Sequence, residues 1–112
     1  MPAISPSASA TIMGRRMRAL REGLGWPQER VGVEIGIEES SARVRISRYE
    51  AGVHEPPVAT ARLIAGALGV PLAYLYCEQD SIAALLLALH KQPSEVQDEA
   101  AERFVAELSQ AG

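Results

Sequence analysis

The chain has 112 residues and a formal net charge of −3, and 47% of its residues are hydrophobic against 22% charged. This composition is typical of a globular chain with one modest core and excludes an intrinsically disordered protein. Aromatic residues make up only 4% of the chain, and the abundance of Ala, Leu, Val and Ile predicts an all-α fold.

Cysteine and histidine are too few for most kinds of site chemistry. Cys77 has no second cysteine for a disulfide, and His54 and His90 are the only histidines, so no metal-ligand spacing is present. The sequence also lacks a Ser/His/Asp arrangement and a phosphate-binding glycine loop, and the pair Glu38 and Glu39 has no nucleophilic partner at a fixed spacing. We therefore expect no enzyme activity, no metal and no cofactor, and we expect Cys77 to be a small buried side chain.

Nothing in the sequence indicates a membrane protein or an export signal. The longest apolar run, "IAALLLAL", has eight residues, whereas roughly 18 are needed to span a bilayer. Residues 1–13, "MPAISPSASATIM", lack the basic start and apolar centre of a signal peptide. We expect these residues to form a disordered arm, and we expect the protein to be cytoplasmic.

Three helices are predicted in the first half of the chain. The first covers "GRRMRALREGLG", where apolar residues recur at helical spacing. The second has Pro27 in its first turn and ends at Gly36. The third has Ser40 or Ser41 as its N-cap residue. Its predicted buried face comprises Ala42, Ile46 and Tyr49.

Four further helices are predicted in the second half. "PPVATARLIAGALGV" forms a fourth helix that ends at Gly69, and "PLAYLY" forms a short fifth helix. The segment "SIAALLLALHK" is apolar on more than one side, so another surface must cover it. The last helix, "PSEVQDEAAERFVAELSQ", is amphipathic and carries a predicted capping box of Ser94 and Gln97.

Charge is distributed unevenly between the two halves. Residues 14–63 contain nine arginines and seven glutamates, a net charge of +2, whereas residues 78–112 contain two basic and seven acidic residues, a net charge of −5. The first half can therefore approach a polyanion that would repel the second half.

A short helix, a glycine turn and a cationic helix form the arrangement that places a helix in the major groove of DNA. Residues 15–76 resemble the helix-turn-helix domain of the lambda repressor/Cro (xenobiotic-response-element) family of transcriptional regulators. The segments "RMRALREGLGWPQERVGVEIGI", "ISRYEAG" and "LIAGALGVPLAYLY" carry the resemblance. It implies that Gln28 binds a DNA phosphate, that Gly32 lies where the two motif helices cross, and that Gly36 takes the tight turn.

The resemblance implies a domain organisation and also shows two departures from the family pattern. Residues 14–77 would form a five-helix lambda-repressor-like DNA-binding domain, and residues 78–112 an extension of about two helices for dimerisation or partner contact. Pro27 stands where the family commonly has a capping Ser or Thr. The segment "EESSARVR" contains about four extra residues, which lengthen either the turn or the start of the recognition helix.

The third helix carries most of the candidate DNA-binding residues. With Ile46 in the core, steps of 100° per residue place Val44 and Arg48 on the outward face, with the serines at its margins. Arg43 lies nearer the buried side but in the first turn, from which it can reach a groove. Arginine can bond guanine through two atoms, and valine can contact a thymine methyl. The candidates are Gln28, Ser41, Arg43, Val44, Arg45, Ser47 and Arg48.

Several residues keep two interpretations at this point. Arg45 alone is as well explained by a solvated charge as by DNA contact. The N-terminal arginines either line the flank of the DNA or are ordinary exposed charges; they are Arg15, Arg16 and Arg18. His54 either meets a phosphate or lies in a plain surface loop, and Tyr49 is expected in the core.

The sequence predicts a DNA-binding transcriptional regulator, with repression as the favoured role, that binds a palindromic double-stranded operator as a homodimer. The surplus leucines of the extension favour a self-complementary contact; otherwise both C-terminal helices fold back over the fourth and fifth helices within a monomer. The alternative is an antitoxin or adaptor that keeps the helix-turn-helix fold and covers a protein partner with its C-terminal helices.

Overall fold

A computed structural model describes residues 11–111 of the chain. These residues form seven helices, and this part of the chain contains no strand. The helices are α1 (Ile12–Gly23), α2 (Gln28–Glu34), α3 (Glu39–Ala51), α4 (Val58–Leu68), α5 (Leu72–Tyr76), α6 (Asp80–His90) and α7 (Ser94–Ala111). The predicted all-α class, with five helices followed by two more, is confirmed.

Helices α1 to α5 surround one apolar core. Its fully buried side chains come from all five of these helices, and the largest are Met17, Val31, Ile46, Ile64 and Leu75. Because each helix contributes one apolar stripe, burial of these stripes holds the domain together. The core therefore fixes the orientation of α3, whose Ile46 lies at its centre.

Helix α1 begins earlier than predicted. Thr11 is its N-cap residue and accepts a hydrogen bond from the Gly14 N–H at 2.9 Å, and Met13 is buried. Residues 11–13, which we assigned to a disordered arm, therefore belong to the folded domain. The rest of that predicted arm, residues 1–10, lies outside the described residues.

Helix α3 also begins earlier than predicted, at Glu39 with Glu38 as its N-cap residue. The prediction that Ser40 or Ser41 caps this helix is wrong, because both residues lie inside its first turn. The turn from α2 to α3 takes only residues 35–38, so all of the segment "EESSARVR" after Glu38 lies in α3 and not in the turn. Pro27 likewise precedes α2 as its N-cap residue and does not lie in the first turn.

The last two helices differ in how they attach to the core. Helix α6 packs on the domain through Ala83, which is buried, and Leu87. Helix α7 packs chiefly against α6 and has no buried residue. Within residues 11–111, none of the helices is both long and apolar enough to span a bilayer.

The predicted capping box at the start of α7 is wrong. Ser94 is already the first residue of the helix. The Gln97 amide donates to the carbonyl of Gln92 at 2.7 Å and to that of His90 at 3.3 Å. Gln97 therefore satisfies carbonyls at the end of α6 and ties the two helices together.

Candidate nucleic-acid interface

Two glycines bring α2 and α3 together. A Cβ on Gly32 would lie 2.5 Å from the Cβ of Ala42, so only glycine permits the observed distance between the helices. Gly36 has a φ of 92°, a conformation that favours glycine, and the Ile37 N–H donates to the Gly32 carbonyl at 2.9 Å. Both glycines lie at the positions that the sequence predicted for them.

The two faces of α3 have opposite character. Ala42, Ile46 and Tyr49 are buried, as predicted, and Tyr49 therefore belongs to the core. On the opposite side, Val44 is 38% exposed and Arg48 is exposed. The outward face thus holds an apolar side chain next to a cationic one, with a half-buried Ser47 at its margin.

The remaining predicted residues of α3 are all accessible. Ser41, Arg43 and Arg45 are exposed. Because α3 starts at Glu39, Ser40 also joins the exposed stripe, four residues before Val44. Ser40 is not among the residues predicted from the sequence, because the sequence does not show whether residues 38–41 belong to the turn or to the helix.

Within the described part of the chain, the arginines of α3 are not paired with carboxylates, unlike most arginines of α1 and α2. Arg45 donates to the Tyr49 hydroxyl at 3.1 Å. Within residues 11–111, the side chains of Arg43 and Arg48 form no hydrogen bond and no ion pair. By contrast, four arginines of α1 and α2 are paired with carboxylates: Arg16, Arg18, Arg21 and Arg30. Positive charge that is not neutralised within the described chain is thus present on α3.

A buried ion pair joins α1 and α3. Glu50, 5% exposed, accepts from Arg21 through both carboxylate oxygens, at 2.6 and 3.0 Å. Arg21 also donates to the Trp26 carbonyl at 2.8 Å. The hydrogen bonds with Glu50 raise the pKa of Arg21 above its usual value, against the opposing effect of burial.

Gln28 belongs to the same cluster. It is half-buried at the start of α2, and its amide nitrogen donates to Glu50 at 3.1 Å. Since a carboxylate only accepts hydrogen bonds, the NH2 group of Gln28 must face Glu50. Its second N–H is not used in this contact. Gln28 thus lies beside α3 and is partly exposed, while its side chain is held by the buried Glu50.

The sequence analysis missed this cluster, although a signal for it was present. Arg21 follows Met17 by four residues and therefore lies on the same side of α1 as a core residue. Glu50 directly follows the buried Tyr49. A charge on the apolar side of each of two helices that pack together indicates a buried pair.

Two other predicted residues, Arg16 and Cys77, have different surroundings from those expected, and His54 lies in a surface loop, which is one of its two interpretations. Arg16 does not lie free along a DNA flank, because it donates to the Cys77 carbonyl and to Asp80. Cys77 is half-buried and not fully buried as predicted, and its thiol lies 3.5 Å from the Gln79 carbonyl. His54 is exposed in the loop between α3 and α4.

Metal-ligating side chains do not cluster in the part of the chain that the structure describes. No group of three or more His, Cys, Asp or Glu side chains among residues 11–111 is arranged to hold a metal ion. The arrangement that the structure does contain is a rigid helix pair that presents α3 to solvent.

A helix-turn-helix family model matches residues 17–75, which is more than half of the chain. The chain belongs to the helix-turn-helix family of the lambda repressor/Cro type. The match covers most of α1 and all of α2 to α4, and it ends within α5. Helices α6 and α7 lie outside it.

A solved structure resembles this helix-turn-helix protein over most of its length. The crystal structure of the transcriptional regulator BswR is 37% identical in sequence and superposes with a TM-score of 0.75. The alignment covers 88% of this chain and 96% of that chain, so it extends into the region after residue 77. Among curated proteins, no relative matches the sequence.

Proposed function

We propose that this helix-turn-helix protein is a sequence-specific DNA-binding transcriptional regulator that inserts α3 into the major groove. The family match and the structural neighbour, itself described as a transcriptional regulator, support a DNA-binding regulator. Groove insertion and operator specificity are our proposal. They follow from the way α3 is presented, since the recognition helix of this motif contacts base edges through its exposed residues.

The proposal rests on the exposure of Arg43 and Arg48 and on their lack of partners within the described chain. Both are exposed on α3 and have no intramolecular partner within the described chain. An arginine that has no carboxylate beside it retains its full charge for a phosphate or a guanine. The paired arginines of α1 and α2 are already partly neutralised.

Each predicted site residue takes a role that fits its surroundings. Arg48 and Arg43 read guanine through their paired donors, and Val44 contacts a thymine methyl. Arg45, held by Tyr49, donates its remaining N–H groups to the DNA backbone. Ser41 and Ser47 contact phosphates at the margins of the helix, and the second amide N–H of Gln28 does the same.

We also propose that the protein acts as a homodimer on a palindromic operator, as a repressor. One α3 offers few base contacts, whereas a two-fold dimer doubles them over half-sites about one helical turn apart. The exposed apolar residues of α6 and α7 supply a surface for this contact. A repressor then acts by occupying the operator.

A second candidate function uses the same apolar surface for a different protein. Ile82, Leu85, Val105 and Leu108 are each at least 44% exposed, and this region carries a net charge of −5. An antitoxin or adaptor would cover such a surface with its partner. Binding of DNA as a homodimer favours the first function, and a chain that is monomeric alone favours the second.

Operator binding by the Arg48→Ala variant tests the proposal. After the operator has been selected from random DNA, competition with single-base variants should show relaxed preference at one position per half-site. We expect a loss of about 1–3 kcal/mol in binding free energy. Gln28→Ala should instead weaken binding to all sequences about equally, because a phosphate contact carries no base information.

The matched control is Arg103→Ala, which removes the same charge from α7. It should leave both affinity and base preference close to those of the original protein, since α7 carries none of the proposed DNA-binding residues. If Arg48→Ala left the base preference unchanged, the proposed readout by this residue would be wrong.

A further inference from the structure

Arg16 forms hydrogen bonds with the segment that connects the domain of helices α1 to α5 to the extension, residues 78–112. Its Nε and one terminal nitrogen donate to the Cys77 carbonyl at 2.9 and 2.6 Å, and that terminal nitrogen also lies 3.0 Å from the Asp80 carboxylate. The guanidinium carbon is 5.3 Å from the centre of the Tyr74 ring. The Arg16 side chain is only 13% exposed, so it is held on several sides.

The segment that Arg16 contacts is short and not helical. Residues 77–79 connect α5 to α6, and Cys77 and Gln79 both have extended backbone angles, with ψ of 119° and 118°. A connection of this kind can rotate about its backbone bonds unless other groups hold it. From the domain, the Arg16 side chain donates hydrogen bonds to both Cys77 and Asp80.

Helix α1, which carries Arg16, is also firmly attached to α3. A Cβ on Gly14 would lie 2.6 Å from the Glu50 carbonyl oxygen, so the two helices are as close as their backbones allow. Arg21 of α1 forms the buried pair with Glu50 of α3. A continuous set of rigid contacts therefore connects α3, through α1 and Arg16, to the start of α6.

From this arrangement we infer that Arg16 is a positioning residue that sets the half-site spacing which the protein accepts. The inference rests on the proposed function, namely that the protein binds DNA as a dimer through its extension. In such a dimer, the distance and angle between the two α3 helices depend on how each domain is oriented relative to its own α6. Helix α6 also packs on the domain through Ala83 and Leu87, and Arg16 fixes the orientation at the point where the chain leaves the domain.

The spacing of half-sites is sensitive to small changes in this orientation. Each added base pair moves a half-site by about 3.4 Å along the duplex and rotates it by about 35°. A rigid dimer therefore accepts one spacing and rejects its neighbours. A dimer with loosened domains accepts several spacings, but it binds the best one less well, because its second domain has a lower effective concentration at the DNA.

The test is a series of operators whose central spacer varies in single base pairs, together with a single half-site. Binding is measured for the original protein, Arg16→Met and the control Arg18→Met. Arg18 lies two residues away on α1 and is paired only with Glu22 of the same helix, so its loss removes equal charge without freeing residues 77–79.

We expect the original protein and Arg18→Met to prefer one spacer sharply. For Arg16→Met, the ratio of affinities between the best spacer and those one base pair longer or shorter should fall at least about threefold, because the domains are tethered less rigidly. Affinity for the single half-site should stay unchanged. If Arg16→Met does not fold, Arg16→Lys serves instead, since an ammonium keeps the charge but lacks the planar fork of donors.

Two results would overturn the inference. The first is an Arg16 variant with an unchanged spacer profile. The second is an equal loss on all operators and on the half-site, which would make Arg16 a phosphate contact. Failure of the proposed function is recognised separately, in the original protein, which would then bind no operator or sediment as a monomer. The inference would fall with it.

Discussion

Glu50 is a charged residue in the core of a small domain, and its surroundings explain how this is tolerated. Burying a carboxylate without partners is strongly unfavourable. Here both oxygens accept from Arg21, and one also accepts from the Gln28 amide. The pair joins the end of the recognition helix to α1, so its geometry fixes the orientation of α3 as well as satisfying the charge.

Replacing Glu50 with Ala should therefore destabilise the fold strongly. The change leaves Arg21, whose side chain is 12% exposed, without its carboxylate in a poorly solvated position. Loss of one member of a buried pair costs about 3–5 kcal/mol. Chemical unfolding followed by circular dichroism measures the difference.

Glu22→Ala is the control for that measurement. Glu22 pairs with Arg18 on the exposed side of α1, and pairs of that kind contribute about 0–1 kcal/mol. If both variants lost similar amounts of stability, the pair of Arg21 and Glu50 would not have the structural role assigned to it.

The outward face of α3 could be predicted from the sequence at the level of single residues, whereas the partners of the charged residues could not. Helical periodicity places Val44 and Arg48 opposite Ile46 without knowledge of other helices. The partners of Arg16 are Cys77 and Asp80, which lie more than 60 positions later in the sequence. Such contacts depend on how α1 packs against α5 and α6, and no local pattern encodes that.

At the scale of the helices, the crossing of α2 and α3 depends on one missing methyl group. A Cβ on Gly32 would lie 2.5 Å from the Ala42 Cβ and 2.9 Å from the Ala42 Cα. Backbone atoms on the neighbouring helix cannot rotate away, so a larger residue must push the helices apart.

Gly32→Ala should destabilise the protein by about 1–3 kcal/mol, because overpacking at the crossing exceeds the better helix propensity of alanine. The control is Gly66→Ala in α4, where nothing lies within 4 Å of the added Cβ. That change should be neutral or stabilise by up to about 1 kcal/mol. Thermal unfolding of both variants checks the prediction, and a fully stable Gly32→Ala would contradict it.

Apolar spacing and glycines predict the existence and the order of the helices, but they do not predict the first residue of each helix. Ser40 and Ser41 were predicted as caps because serine commonly satisfies free N–H groups. In the structure α3 starts before them, at Glu39, and Glu38 forms no side-chain capping bond. The predicted buried face begins at Ala42 in either case, so apolar spacing places the helix but not its first residue.

The whole molecule is less compact than a single domain of its length. Its radius of gyration is 16.4 Å, whereas about 13 Å is typical of a compact domain of this size. Helix α7 adds little to the core, since it packs chiefly on α6 and buries no residue of its own. Because this long helix gains so little from its own chain, we propose that it contacts another chain.

The last prediction is that this contact is a second copy of the protein. The surface is defined by exposed apolar residues of α6 and α7, namely Ile82, Leu85, Val96, Val105 and Leu108. A two-fold contact brings each residue of this surface near the same surface of the partner. One acidic substitution therefore introduces two buried charges, and Leu85→Glu or Val105→Glu should convert a dimer into a monomer.

Leu63→Glu provides the matched control, because Leu63 is a leucine of α4 that is 55% exposed and lies outside the extension. Sedimentation at tens of micromolar should show a dimer for the original protein and for Leu63→Glu, and a monomer for the two variants of the extension. Each variant should keep the thermal stability of the core, since neither Leu85 nor Val105 is buried in its own chain. A monomeric original protein would exclude the self-contact, and the apolar surface of α6 and α7 would then be assigned to a different protein partner.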